Sequence, residues 1–348
     1  MPLTRREAIA GIGGGLAVLT GLPALTLPEV LIPKALIPKA KITKAWADPA
    51  YPSQAIKLIV PYPAGGTTDF LGRLVAEQFR TGLGATVVVE NRPGAATTLG
   101  ADQVARSAPD GYTLLLATST TLAINKALYR KLPYDPVRDF TPIALVAGVP
   151  FALIVSPSLP VKTLGEFIAY AKSNPGLAYG SAGNGSPQHL GAEMLRAAAG
   201  LDVRHVSYRG GVPAMLDVIA GRIPFMVVDL PLALPQIREG KVRVLGVTTP
   251  SRVAVASEIP TLAEAGLPGF ELVPWQGVVA PAGLSRTIAD RLAAQIARLM
   301  ADPATRDRLT TMALEPLTGS TPESFAAYVR AEVDRWADIV RNSGAELE

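Results

Sequence analysis

Short runs of β-branched and aliphatic residues alternate along this chain with stretches whose apolar positions recur every three to four residues. Residues 56–60 (IKLIV) read as a strand, and a Gly/Pro-rich loop fills 61–68. Over 69–81 the apolar Phe70, Leu71, Leu74, Val75 and Phe79 have helical spacing. A strand over 86–90, a helix over 97–107, a turn at Pro109-Asp110-Gly111 and a strand over 112–117 complete a first cycle. Such repetition predicts a sheet with helices on its faces.

A second cycle opens near residue 151. It has predicted strands at 151–155, 178–180, 203–207, 225–229 and 243–248, and predicted helices at 164–173, 188–199 and 213–220. From Ser285 onward the pattern is helical, with Thr321-Pro322 as a cap followed by proline at the first helical position. Phe325, Val329, Trp336 and Val340 then share one face. These last helices have no strands of their own, so they must cover a sheet laid down earlier. The simplest solution returns the chain to the first sheet near 274–280. The expected fold is therefore α/β with two lobes, 48–150 plus 272–348 and 151–271. Each lobe is expected to be a mostly parallel sheet flanked by helices, and two hinge crossings join them.

Bulk composition changes this picture little. At 348 residues, 49% apolar and 18% charged, the chain has the size and composition of a packed two-domain protein. Charge matters more. The formal +4 suggests a nucleic-acid partner until it is located: residues 1–47 hold six of the 33 basic and two of the 29 acidic residues, so 48–348 carry 27 of each. A phosphate-tracking face needs an excess of Lys and Arg, and no such run follows residue 47. There is no cysteine, which removes disulfides, thiolate nucleophiles and thiolate metal sites.

Residues 1–47 read as an export signal and leader. Arg5 and Arg6 precede an apolar run from Ala8 to Leu27, and Ala45-Trp46-Ala47 fits small-x-small cleavage before Asp48. Thr4-Arg5-Arg6 partly resembles a twin-arginine signal, although Ala8 stands where a bulky apolar residue is usual; general secretion is the other route. Glycines in the run and the A-x-A site favour a cleaved signal over a retained anchor, and the expected location is the periplasm.

Two loops carry candidate chemistry. PYPAGGTTD, Pro61 to Asp69, lies between a strand and a helix. Gly65 and Gly66 allow close backbone approach, the helix start offers free N–H groups to a carboxylate, and Thr67, Thr68 or Asp69 could cap it. In the second lobe Tyr179 to His189, YGSAGNGSPQH, repeats the arrangement with Ser181, Gly183, Gly185, Ser186, Gln188 and His189. One such loop in each lobe, both at the carboxyl end of a strand, is where α/β proteins bind ligands. The hydroxyl cluster Thr118, Ser119, Thr120 either donates to an anion or starts a helix. Arg209 could fork onto a carboxylate, Asp229 could orient a ligand or cap a helix, and Trp275-Gln276 either packs on the ligand or belongs to the core.

Six motifs occur in one order: PYPAGGTTD, VVVENRPGAATTLG, APDGYTLLLATSTTLAINKALY, YGSAGNGSPQHL, VSYRGG and WQGVVAPAG. Together they resemble the substrate-binding proteins of tripartite tricarboxylate transporters, the Bug family of extracytoplasmic receptors, from about Tyr51 to the C-terminus. The resemblance implies a periplasmic-binding-protein fold with two crossings. It implies a small organic acid held by backbone groups and waters from both lobes, here Tyr62 to Asp69, Thr118–Ser119–Thr120, Ser181 to His189, Arg209 and Asp229. Ala64 stands where many relatives have a second proline. The implied partner is a membrane permease of one large and one small subunit, some relatives serving sensing instead; the receptor itself is expected to be a monomer without nucleic acid.

An enzyme reading finds little. The two histidines, His189 and His205, have no carboxylate spacing for a metal. There is no G-x-S-x-G elbow, no P-loop and no full dinucleotide fingerprint, so no cofactor or metal is expected. The rival is an exported hydrolase or isomerase using Asp69, His189 and Asp229.

Overall fold

A computed structural model of the chain describes residues 51–343; the expected leader, export signal and cleavage site lie outside the described residues. The first cycle is β1 (Ile56–Val60), α1 (Thr67–Leu83), β2 (Val87–Asn91), α2 (Thr98–Ala105) and β3 (Thr113–Thr118). A π-helical turn at Thr120–Ile124 and α3 (Asn125–Leu128) lead to β4 (Phe140–Gly148). The second cycle is β5 (Phe151–Val155), α4 (Leu164–Ser173), β6 (Leu177–Ser181), α5 (Pro187–Ala199), β7 (Val203–Ser207), α6 (Gly211–Ile219), β8 (Phe225–Asp229), α7 (Leu230–Arg238) and β9 (Arg243–Val247). The chain continues through β10 (Trp275–Pro281), α8 (Arg286–Ala301), α9 (Pro303–Thr311), β11 (Glu315–Pro316) and α10 (Pro322–Ser343).

Two sheets result, ordered β11-β4-β10-β3-β1-β2 and β7-β6-β8-β5-β9. The pairings β1–β2, β1–β3, β6–β7 and β6–β8 are parallel, as βαβ repetition requires. Most strands in each sheet run one way, as expected, and β5, β10 and β11 run against them: β10 is antiparallel to β3 and β4, β11 to β4, and β5 to β8 and β9. The reason for β5 and β10 is topological. The chain passes from β4 into β5 through 149–150, and from the second sheet into β10 through 273–274. These two strands start at the crossings and run away from them, whereas β1, β3, β6 and β8 run towards them. The carboxyl ends of those four strands therefore face the junction between the sheets, where ligands of α/β proteins bind.

The C-terminal helices cover the first sheet. Phe325, Val329, Trp336 and Val340, the face expected from their spacing, are all buried. Trp275 of β10 packs edge-to-face on Phe325 with ring centroids 5.7 Å apart. Its indole N–H donates to Glu332 Oε2 at 2.6 Å, and the Trp336 N–H donates to the same oxygen at 2.8 Å. One buried carboxylate thus pins α10 to the strand that follows the second crossing. None of the helices among the described residues is long and apolar enough to cross a membrane.

Candidate functional site

A cavity of about 280 Å³ lies between the two sheets. From the first sheet's side Tyr62 and Gly66 reach it from the β1–α1 loop, Thr67 from the first residue of α1, Thr118 and Ser119 from the end of β3, and Trp275 and Gln276 from the start of β10. From the second sheet's side come Gln188 of α5, Arg209 and Gly211 at the start of α6, and Asp229 at the end of β8. Val149 and Pro274, one from each crossing, also line it, and the Val149 N–H donates to the Pro274 carbonyl at 2.7 Å.

Two helices open onto this space without side-chain caps. The residue before α1 is Gly66 and the residue before α6 is Gly210, and neither can cap with a side chain. The first N–H groups of a helix have no partner inside it, and together they act as a partial positive charge. Gly210 has φ 115°, a conformation that favours glycine, and a Cβ built there would lie 3.4 Å from Pro63 Cγ of the opposite side. The third helix at the cavity, α5, is closed instead: Ser186 Oγ accepts from the His189 N–H at 3.3 Å.

Charge in the lining is sparse. Among the described residues, Arg209 is the sole basic lining residue and Asp229 the sole acidic one. Arg209 is exposed, with no carboxylate partner among the described residues. Asp229 is buried and accepts from the Thr67 hydroxyl and from Gln188 Nε2, the latter at 3.3 Å. Burial pushes its pKa above the usual carboxylate value, and these neutral donors only partly offset that. Tyr62, hydrogen-bonded to Thr120 at 3.2 Å, is pushed up by burial as well. Three lining residues, Ser119, Gln188 and Gln276, each keep a buried side-chain oxygen with no protein partner. Buried polar atoms are nearly always satisfied, so three at one cavity mark a place where a ligand or water completes the bonding.

Of the sequence-expected residues, Tyr62, Gly66, Thr67, Thr118, Ser119, Gln188, Arg209 and Asp229 meet at the cavity. The others do not line it, because their polar atoms serve the loops. Asp69 accepts from the N–H of Gly65 (3.1 Å), from Asn91 (3.0 Å) and from Arg73 (3.0 Å). Burial raises its pKa, but these three donors outweigh burial and leave it below the ordinary value. Thr120 is turned to Tyr62. Ser181, fully buried, is bonded to His205 Nε2 at 2.6 Å. Gly183 and Gly185 have φ of 129° and 71°, so they shape the turn. Ser186 is the α5 cap. His189 accepts the Gly185 N–H at 3.2 Å and stacks on His205 at 4.1 Å between ring centroids. Asp69, His189 and Asp229, the trio of the hydrolase reading, are therefore not brought together. Gly211 was not expected at the site: α6 was predicted to begin at Pro213, and the signal for its earlier open start was the Gly210-Gly211 pair.

The comparisons with known proteins agree with this architecture. The sequence model of the tripartite tricarboxylate transporter family receptor (TctC) matches residues 71–345. The chain belongs to this family. As a TctC receptor it is a solute-binding protein with the two-lobed periplasmic-binding-protein-like α/β fold. It is 35% identical over 300 residues to protein BugT of Bordetella pertussis, covering 86% of this chain and 92% of that one. Among solved structures, Rpa4515 from R. palustris with adipate has 36% identity and a TM-score of 0.82, covering 85% of this chain and all of that one. MatC from Rhodopseudomonas palustris with bound malate has 34% identity and a TM-score of 0.79, covering 83% of this TctC receptor and 100% of the other.

Proposed function

We propose that this TctC receptor captures a small organic carboxylate in the cavity, closes on it, and delivers it unchanged to a membrane permease of one large and one small subunit. The lobes that close are 48–150 plus 272–348 and 151–271, hinged at the two crossings. The site is formed by the residues that line the cavity on both sides, with Asp69, Ser181, Ser186 and His189 holding the loops in place. Residues 1–47 direct export to the periplasm and are cleaved.

The observation that carries this reading is the pair of uncapped helix starts, Gly66-Thr67 and Gly210-Gly211, which face one cavity from opposite sides beside the unpaired Arg209. Backbone N–H groups and a guanidinium are what a carboxylate binds. The volume, near the lower end of the roughly 300–1,000 Å³ of small-molecule clefts, suits a small acid. Relatives solved with adipate and with malate support the same ligand chemistry.

A thermal-shift screen of residues 48–348 against organic acids tests it. An acid at about 100 times its Kd stabilises the native state by about 2.7 kcal/mol, a visible shift. A shift with an acid recovered chemically intact supports the receptor; turnover of the acid contradicts it.

A further inference from the structure

Helix α5 reaches from the cavity to a second hollow. An apolar groove of about 580 Å³ lies between the far end of α5, the 266–270 loop and Ile339 of α10. The loop belongs with the second sheet, because Thr261 bridges Val247 of β9 and the Leu262 N–H donates to the Val247 carbonyl at 2.8 Å. Ile339 belongs with the first, because Glu332 pins α10 to β10. The groove, like the cavity, is walled from both sides of the molecule.

One face of α5 joins the two spaces. Gln188, Gly191, Met194 and Ala198 follow one another at helical spacing and lie in line. Gln188 lines the cavity, and Met194 and Ala198 line the groove. Between them a Cβ on Gly191 would lie 2.7 Å from Leu272 Cδ2, so the glycine lets Leu272 rest on the helix backbone. Leu272 stands just before the second crossing and is held there. Its N–H donates to the Thr248 carbonyl at 2.9 Å, and the Thr248 hydroxyl donates to the Leu272 carbonyl at 2.6 Å. Thr248 Oγ1 also accepts from the N–H of Phe151, just after the first crossing, at 3.2 Å. Helix α5 thus touches the hinge at its middle, and its two working ends are about 15 Å apart at the rise of an α-helix.

The two sides are closed on the cavity: the Thr67 hydroxyl reaches Asp229 across it, and a Cβ on Gly210 would lie 3.4 Å from Pro63. Opening about the contact at Gly191 carries the Gln188 end of α5 away from the first sheet. The same rotation carries the Ala198 end towards α10 and narrows the groove. It also buries apolar surface of Met194 and Ile339, which favours the open form when no ligand holds the cavity shut.

Resting on the receptor reading, we infer that α5 is a lever pivoting on Leu272, and that the groove is the space the open form needs. Bulk placed in the groove therefore holds the receptor closed and raises its affinity for a ligand that it never touches.

The chain has no cysteine, so Leu99→Cys on α2 and Leu216→Cys on α6, both exposed, put one spin label on each side of the cavity. Pulsed electron–electron distance measurement on ligand-free residues 48–348 is expected to show a long separation beside a short one. Ala198→Trp should leave only the short one. Ile339→Trp fills the groove from the opposite wall and should do the same, so the result does not hang on one variant folding. Straight-chain dicarboxylates of two to six carbons are then titrated into each protein. Those that bind the wild type should bind the tryptophan variants at least about threefold more tightly, because a closed form populated in only a fraction of free molecules weakens apparent affinity by that fraction. Label distances that neither substitution changes, or affinities that do not rise, overturn the lever and leave the receptor standing. If none of the acids binds the wild type, the receptor reading suffers, while the label distances still decide the lever.

Discussion

The Thr67 hydroxyl donates to the Asp229 carboxylate, joining residues 162 positions apart in the chain. Thr67 opens α1 beside the first sheet and Asp229 ends β8 in the second, so the bond spans the cavity. A hydrogen bond to a charged acceptor contributes about 1.5–3 kcal/mol, and this one exists only when the two sides are together. Thr67→Val keeps the shape and removes the donor. It is expected to weaken ligand binding by about 1–2 kcal/mol, a roughly 5- to 30-fold rise in Kd by titration. An unchanged Kd would show that closure does not use this bond.

Glu332 is 4% exposed and accepts both the Trp275 and Trp336 indole N–H groups through one oxygen. Glu332→Leu leaves two buried donors unpaired, and a loss of about 3–5 kcal/mol in urea unfolding is expected. Glu332→Gln keeps an accepting oxygen and should lose clearly less. Equal losses would mean that the packing of α10, and not the shared acceptor, fixes this contact.

Gly277 of β10 lies against Phe325: a Cβ there would sit 2.5 Å from Phe325 Cζ and 2.9 Å from the Ala144 carbonyl oxygen. Gly277→Ala is expected to cost about 1–3 kcal/mol of stability through overpacking. Adding Phe325→Leu should recover part of that loss, a coupling measurable in a double-mutant cycle.

Much of this arrangement could be read from the chain. The strands at 56–60, 151–155, 203–207 and 225–229 coincide with β1, β5, β7 and β8: β1, β5 and β8 are apolar runs suited to a buried pleat, and β7 is a short run with Val203 and Val206 at the sheet's edge. β4 was not readable. Its sequence, FTPIALVAG, contains Pro142, which usually argues against a strand, and it is accommodated because β11 pairs only with Ala147 and Gly148, leaving β4 a free edge beside Pro142. Of the two Gly-rich loops, the first lends Gly66 and Thr67 to the cavity. The second turns inward at Ser181 and His205 and reaches the cavity through Ala182, Pro187 and Gln188. Which side of a glycine turn faces a ligand depends on its φ values and caps, and spacing does not encode these.

Stability should depend on pH through the stacked histidines. Burial lowers the pKa of His189. Burial, then the neighbouring His189, lowers that of His205 to about 4. Both rings are held neutral in the fold, so below the unfolded value of about 6.5 the unfolded chain binds more protons. Their contribution is fully present above pH ~6.5 and is lost as pH falls towards about 4. The thermal midpoint is expected to fall across that window, and to fall less in a His189→Gln, His205→Asn double variant. A profile that stays flat from pH 7 to 4.5 contradicts this role.

The acid is expected to bind between the two sheets, at the open start of α1. Gly66 has ordinary φ of −92°, and a Cβ built on it has nothing within 4 Å, so a large side chain there fits the fold while filling the cavity. The most direct measurement is calorimetric titration of the acid found in the screen into the wild-type protein and into Gly66→Trp. One acid per chain is expected for the wild type, and no measurable binding for Gly66→Trp despite an unchanged unfolding midpoint. Equal binding by both would contradict binding at the start of α1 and place the ligand elsewhere, for instance in the apolar groove that Met194, Leu267, Phe270 and Ile339 line.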